Sequence, residues 1–151
     1  MPRETRKLQI TRTDNMLDIR FPSCLENIDA ACRVVTQYLL FRLAAVQRSG
    51  QLFAVNLVMR EGLTNAVLHG NKNDITKEVR FTLKIVDETS IFLEIEDQGN
   101  GFDWRKHKVS EFPLAADHGR GIPIMGTYFT RYAYNEKGNI LFLQMDFTSR
   151  I

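Results

Sequence analysis

The chain has 151 residues, 44% hydrophobic and 25% charged, which is the size and composition of one globular domain able to bury a core. Its net charge of +2 is too small to point to direct nucleic-acid binding, and its Lys and Arg are too scattered beyond Arg3, Arg6, Lys7 and Arg12. Cys24 and Cys32, placed in one helix, lack disulfide or metal-site spacing, the N-terminus has no apolar leader, and no apolar run spans a bilayer. The expectation is a single-domain cytoplasmic protein in a reducing compartment, with no membrane partner.

In chain order, two alternating stretches, Lys7 to Thr13 and Met16 to Phe21, flank Asp14-Asn15 and read as a strand hairpin. Ser23 with Glu26 three residues on forms a capping box. Leu25, Ile28, Cys32, Val35, Leu39, Leu43 and Val46 then recur at helical spacing until Gly50. A second stripe, Val34, Tyr38, Phe41 and Ala45, predicts burial of this helix between a sheet and a second helix, with a dimer surface as the alternative. Another helix spans Leu52 to His69 and ends at Gly70. Its apolar stripe, Ala54, Leu57, Val58 and Leu68, is interrupted by Glu61 and Asn65, while Asn56, Arg60 and Thr64 mark a polar face.

A strand from Val79 to Val86 alternates apolar and polar residues. After the turn Asp87 to Ser90, Ile91, Leu93 and Ile95 continue an inward face on which Asp97 is next. From Gly99 to Gly119 no period holds, which predicts a long loop with room for a short helical turn, of a length that is usually functional or disordered. Ile122 to Thr130 reads as a short helix, and Arg131 to Glu136 with Asn139 to Phe147 as a closing hairpin.

Three segments invite a joint explanation: Glu61 with Asn65, Asp97 with Gly99 and Gly101, and Gly119 to Ile122. Each alone reads as a solvated pair, a turn or a loop with an exposed arginine. Together they place two carboxylates and an amide inward, with glycines at both ends of the loop, and a nucleotide explains all three. Asp97 can accept from the exocyclic amine of adenine. Gly99 and Gly101 allow the backbone close to the ring. Gly119, Arg120, Gly121 and Ile122 open a helix whose free N–H groups suit phosphates, with Pro123 tolerated in the first turn. Asn65 offers an amide oxygen to Mg²⁺, and Glu61 can hold or deprotonate an attacking hydroxyl.

The segments "EGLTNAVLHG", "DQGNGFD" and "HGRGIPIM" resemble the N, G1 and G2 boxes of the histidine-kinase-like (GHKL) ATPases. Within them, the chain is similar to the small bacterial anti-sigma-factor serine kinases of the RsbW and SpoIIAB type, and "FPSCLENIDAACRVV" looks like that group's entry into its first long helix. The resemblance implies an α+β fold, a two-layer α/β sandwich with a mixed, mostly antiparallel sheet covered on one face by helices, and Gly99 to Gly119 as an ATP lid. It implies ATP and Mg²⁺ as cofactors, Asn65 as the Mg²⁺ ligand, Asp97 as the adenine reader and Glu61 as the catalytic base. Gly99, Gly101, Gly119, Gly121 and Ile122 would form the nucleotide loop, with Arg120 on phosphate. It further implies a homodimer that sequesters a sigma factor and phosphorylates a serine or threonine of a STAS-domain antagonist.

The chain departs from that pattern at Gly138-Asn139, where glycine-threonine is usual, and at Leu68, where many sensor kinases carry a basic residue. His69 is expected to be structural or supporting, Lys106, His107 and Lys108 solvated, and Trp104 to pack the lid against the domain. The alternative function is a nucleotide-gated module that binds its partner without phosphorylating it. The catalytic half of a two-component kinase is disfavoured, since no helical hairpin with a phospho-acceptor histidine precedes the domain.

Overall fold

The computed structural model describes residues 8–43, 51–101 and 129–146. Six strands form one sheet: β1 (Gln9–Arg12), β2 (Met16–Pro22), β3 (Glu78–Asp87), β4 (Ser90–Glu96), β5 (Phe129–Tyr134) and β6 (Ile140–Asp146), in spatial order β1-β2-β3-β4-β6-β5. Every pairing among these strands is antiparallel. Two helices, α1 (Glu26–Arg42) and α2 (Gln51–Asn65), bury their apolar sides in the same core as the sheet. The result is the expected α+β fold.

The period of two decides which face the helices cover. Register aligns Leu17, Leu83, Leu93 and Leu143 across four strands, and Ile19, Phe81, Ile95 and Leu141 beside them. All eight are buried and meet Ile28, Ala31, Cys32, Val35 and Leu39 of α1 and Ala54, Val58, Met59 and Leu63 of α2. Burying each such side chain contributes about 1.5–3 kcal/mol, so this layer carries most of the driving force for folding. The opposite face is largely polar, apart from the Phe92–Phe142 ring pair. There Asp18 accepts two hydrogen bonds from Arg80, at 2.9 and 2.6 Å. Polar contacts also join the helices, with the Thr36 hydroxyl donating to Asn56 Oδ1 at 3.2 Å and Arg60 paired with Asp29.

Several local expectations are corrected. The capping box does not form: α1 starts after Leu25 without a side-chain cap, and the buried Ser23 hydroxyl donates instead to the Val67 carbonyl at 3.5 Å. Cys24 therefore precedes the helix, while Cys32 is buried within it, and both are free thiols. The helix ends at Arg42 because Leu43 turns extended to bury its side chain, its N–H still bonded to Leu39 at 2.8 Å. Tyr38 is buried as the second stripe predicts, but Phe41 is 83% exposed and rests beside the Arg42 guanidinium. Phe129 and Thr130 belong to β5 rather than to a helix. The expected lid, with Trp104, Lys106, His107 and Lys108, and the Gly119 to Ile122 segment lie outside the described residues.

Candidate functional site

The end of α2 sets the site. After Asn65 the helix widens into a π-type turn, Ala66–Gly70, closed by the Asn71 N–H donating to the Ala66 carbonyl at 2.8 Å. Such turns often sit at functional sites. Asn71 is buried and holds three pieces together. Its Nδ2 donates to the Glu78 carbonyl at 2.9 Å, where β3 begins, and its Oδ1 accepts the Gln98 N–H at 2.8 Å, just past β4. The helix end and the segment after β4 are therefore fixed to each other.

Between them lies a cavity of about 230 Å³. Gly62, Ala66, Ile95 and Leu141 give it an apolar side, and Asn65, His69, Asp97, Tyr134 and Asn139 give it polar groups. A mostly apolar hollow with a few convergent polar groups is the usual form of a small-molecule site.

Asp97 is the acidic group of this cavity. Its Oδ1 accepts the Gly99 N–H at 2.8 Å. Burial holds its carboxyl above the ordinary carboxylate value and neighbouring Glu96 adds to the rise, although the Gly99 N–H opposes it. The same burial, with the Asp97 charge nearby, pushes the Tyr134 hydroxyl up to about 12, so it stays protonated as a donor. Gly70 and Gly99 are both required by crowding. A Cβ on Gly70 would run into the Asp97 carboxylate, and one on Gly99 would run into the Gly70 carbonyl.

Asn65 differs from the other site amides. It lines the cavity, yet its Nδ2 is buried without a hydrogen-bond partner in the structure. The protein leaves that end of the amide unsatisfied, so a bound group can decide its orientation. As placed, that end is an N–H donor, so only the turned amide would present its oxygen to a cation such as Mg²⁺. Among the described residues no cluster of three His, Cys, Asp or Glu side chains could hold a metal.

Of the residues singled out in the sequence, the fold brings Asn65, Asp97 and Gly101 onto one cavity. Gly99 does not line the cavity: its N–H bonds Asp97, and a Cβ on it would meet the Gly70 carbonyl. Glu61 is half-buried one turn before Asn65 but does not line the cavity. Gly119, Arg120, Gly121 and Ile122 lie outside the described residues. His69, expected to be structural or supporting, lines the cavity directly. Asn139 had been singled out only as part of the Gly138-Asn139 departure, and Tyr134 was not anticipated. The signal for Asn139 was present, since Leu143, Leu141 and Asn139 share a strand face just as Leu93, Ile95 and Asp97 do. The pairing of β4 with β6 then makes the two polar residues neighbours, with the Asp97 N–H donating to the Asn139 carbonyl at 3.0 Å.

An open antiparallel sheet with helices on one face, and a mostly apolar pocket bearing one carboxylate at the end of the second helix, define the class of an α+β domain with a small-molecule cavity. Residues 21–145 match the family described as the histidine kinase-like ATPase domain, and the chain belongs to that family. Membership implies ATP binding, with ATPase or phosphotransfer chemistry. A search of curated proteins gives no match. Among the described residues no helix is long and apolar enough to cross a membrane.

Proposed function

We propose that the protein is an ATP- and Mg²⁺-dependent serine/threonine kinase of the anti-sigma type. In this reading it works as a homodimer that sequesters a sigma factor and phosphorylates a STAS-domain antagonist. The observation that carries the reading is the cavity itself: a carboxylate acceptor at Asp97 faces a hollow whose helix side ends in an amide, Asn65, with an unsatisfied end. Asp97 accepts from the adenine amine, Ile95 and Leu141 pack against the base, and Asn65 would hold Mg²⁺ near the phosphates. Bound ATP with Mg²⁺ supplies the transferable phosphoryl group. Glu61, one turn before Asn65, receives the proton of the acceptor hydroxyl, and Gly119 to Ile122 with Arg120 bind the phosphates. The exposed Phe41 is a candidate part of the dimer or partner surface.

The second reading is a nucleotide-gated binding module without phosphotransfer, and the position of Glu61 off the cavity wall favours it. Purified protein, ATP, Mg²⁺ and a candidate STAS-domain antagonist separate the two. Phosphate on a serine or threonine of the antagonist, abolished by Glu61→Ala with nucleotide binding retained, supports the kinase. Nucleotide-dependent binding with no phosphate transfer by wild type selects the second reading.

A further inference from the structure

Asn100 stands apart from the other asparagines around the cavity. The side-chain amides of Asn71, Asn135 and Asn139 are held by hydrogen bonds to backbone groups or to one another. Asn100 is exposed, and among the nine asparagines of the chain it alone precedes a glycine. Glycine has no Cβ to shield its backbone nitrogen from the side chain before it. The main chain on either side of Asn100 is fixed. The Gly99 N–H donates to Asp97 Oδ1 at 2.8 Å. Gly101 lines the cavity at φ +79°, so close to the turn between β5 and β6 that a Cβ would run into the Lys137 carbonyl. Asn100 is the single residue that joins these two.

Resting on the nucleotide site proposed above, we propose that Asn100 is a modification site at which spontaneous deamidation silences nucleotide binding. The Gly101 nitrogen, losing its proton, bonds to Asn100 Cγ, and the Cγ–Nδ2 bond breaks to release ammonia, leaving a cyclic imide. Water is the only co-reactant. It opens the imide at the main-chain carbonyl to give isoaspartate, or at Cγ to give aspartate. Isoaspartate lengthens the main chain by one carbon between Gly99 and Gly101, and the two glycines cannot both keep their places. Either Asp97 loses the Gly99 N–H or the cavity wall at Gly101 shifts. The aspartate product keeps the chain path but adds a negative charge close in the chain to Asp97, whose burial already disfavours its own charge. Isoaspartate is therefore the more damaging product.

The test is ageing of the full chain at mildly alkaline pH, followed by peptide mass mapping and by calorimetry with ATP·Mg²⁺. The expected result is amide-to-acid conversion at Asn100 ahead of the other asparagines and of Gln98, with isoaspartate detected by enzymatic methyl transfer to its free carboxylate. The binding-competent fraction is expected to fall in proportion to the isoaspartate formed, with thermal melting unchanged because Asn100 lies outside the core. Asn100→Gln, whose longer side chain closes a ring slowly, is expected to keep its binding through the same treatment. Asn100→Asp is expected to bind ATP severalfold more weakly without ageing. Conversion centred on another residue, or none, overturns the inference. So does conversion at Asn100 with binding undiminished, or a loss of binding that merely follows a fall in melting temperature. If fresh wild type binds no ATP, the site reading fails and the coupling falls with it, while the mass map still decides whether Asn100 is the residue modified.

Discussion

The two ends of the helix–sheet sandwich are built from the same ladder of paired strands but filled differently. Toward the middle of the strands, Leu17, Leu83, Leu93 and Leu143 line up across four strands and leave no exposed surface. At the far end, past Ile95 and Leu141, the next residues on the same face are Asp97 and Asn139, and the helix above them ends in a wide turn at Ala66–Gly70. Stability is concentrated where the ladder is apolar, and binding where it turns polar. The far end carries costs that a purely structural end would not: a carboxylate whose burial disfavours its charge, and an asparagine with an unsatisfied nitrogen. Such local conflicts between burial and polarity are expected where a ligand completes the structure.

Substitutions at the two ends should separate these roles. The largest effect is expected from Leu93→Ala. Removing a fully buried leucine costs about 2–5 kcal/mol of folding stability, read as a lower urea midpoint, while the fraction that remains folded still binds ATP. Asp97→Asn inverts that outcome. ATP affinity is expected to fall about 10- to 100-fold by calorimetry, the worth of a hydrogen bond to a charged group.

The sign of the accompanying stability change follows from burial. The folded state holds the Asp97 proton above the ordinary carboxylate value, so folded protein binds more protons than unfolded across that interval. Stability is therefore lost as pH rises through it. Removing the charge at neutral pH should leave the melting temperature of the free protein unchanged or higher.

Asn71→Ala joins the two ends and should show both effects in reduced form. It leaves the Glu78 carbonyl and the Gln98 N–H without their buried partner, at about 1–3 kcal/mol of stability. It also loosens the segment bearing Asp97 and so lowers ATP affinity. The smallest effect is the pH dependence of binding itself. A bound amine favours the charged carboxylate, so ATP affinity should weaken as pH falls through the raised Asp97 value and level off above it. Calorimetry from about pH 7 to about pH 4.5 on wild type, with Asp97→Asn flat over the same range, checks this.

Much of the fold was legible because its period is regular. The alternation from Val79 to Val86 and from Ile91 to Asp97 gave strand faces that the register bears out, and Asp97 was read as inward from parity alone. The helix start was misread because Ser23 is a good capping residue by type. What the sequence does not reveal is that a distant carbonyl, at Val67, takes its hydroxyl. Leu43 fits the helical stripe equally well, and only the core it enters makes it extended. Within the site, Asn65 and Asp97 were found by pattern, whereas Tyr134 and Asn139 depend on the pairing of β4, β6 and β5, which is long-range. The purpose of Gly99 was likewise hidden, since the group it must clear is the backbone of Gly70.

The most direct test of the central claim, that the cavity between the end of α2 and the ends of β4 and β6 is the adenine site, is an NMR titration of the isotopically labelled chain with ATP·Mg²⁺. The predicted result is saturable shifts confined in the main to the backbone of Asp97, Gly99 and Gly70 and to the side-chain amides of Asn65 and Asn139, while Leu17 and Leu83 stay put. Shifts centred away from these residues, or none at saturating nucleotide, would contradict the account.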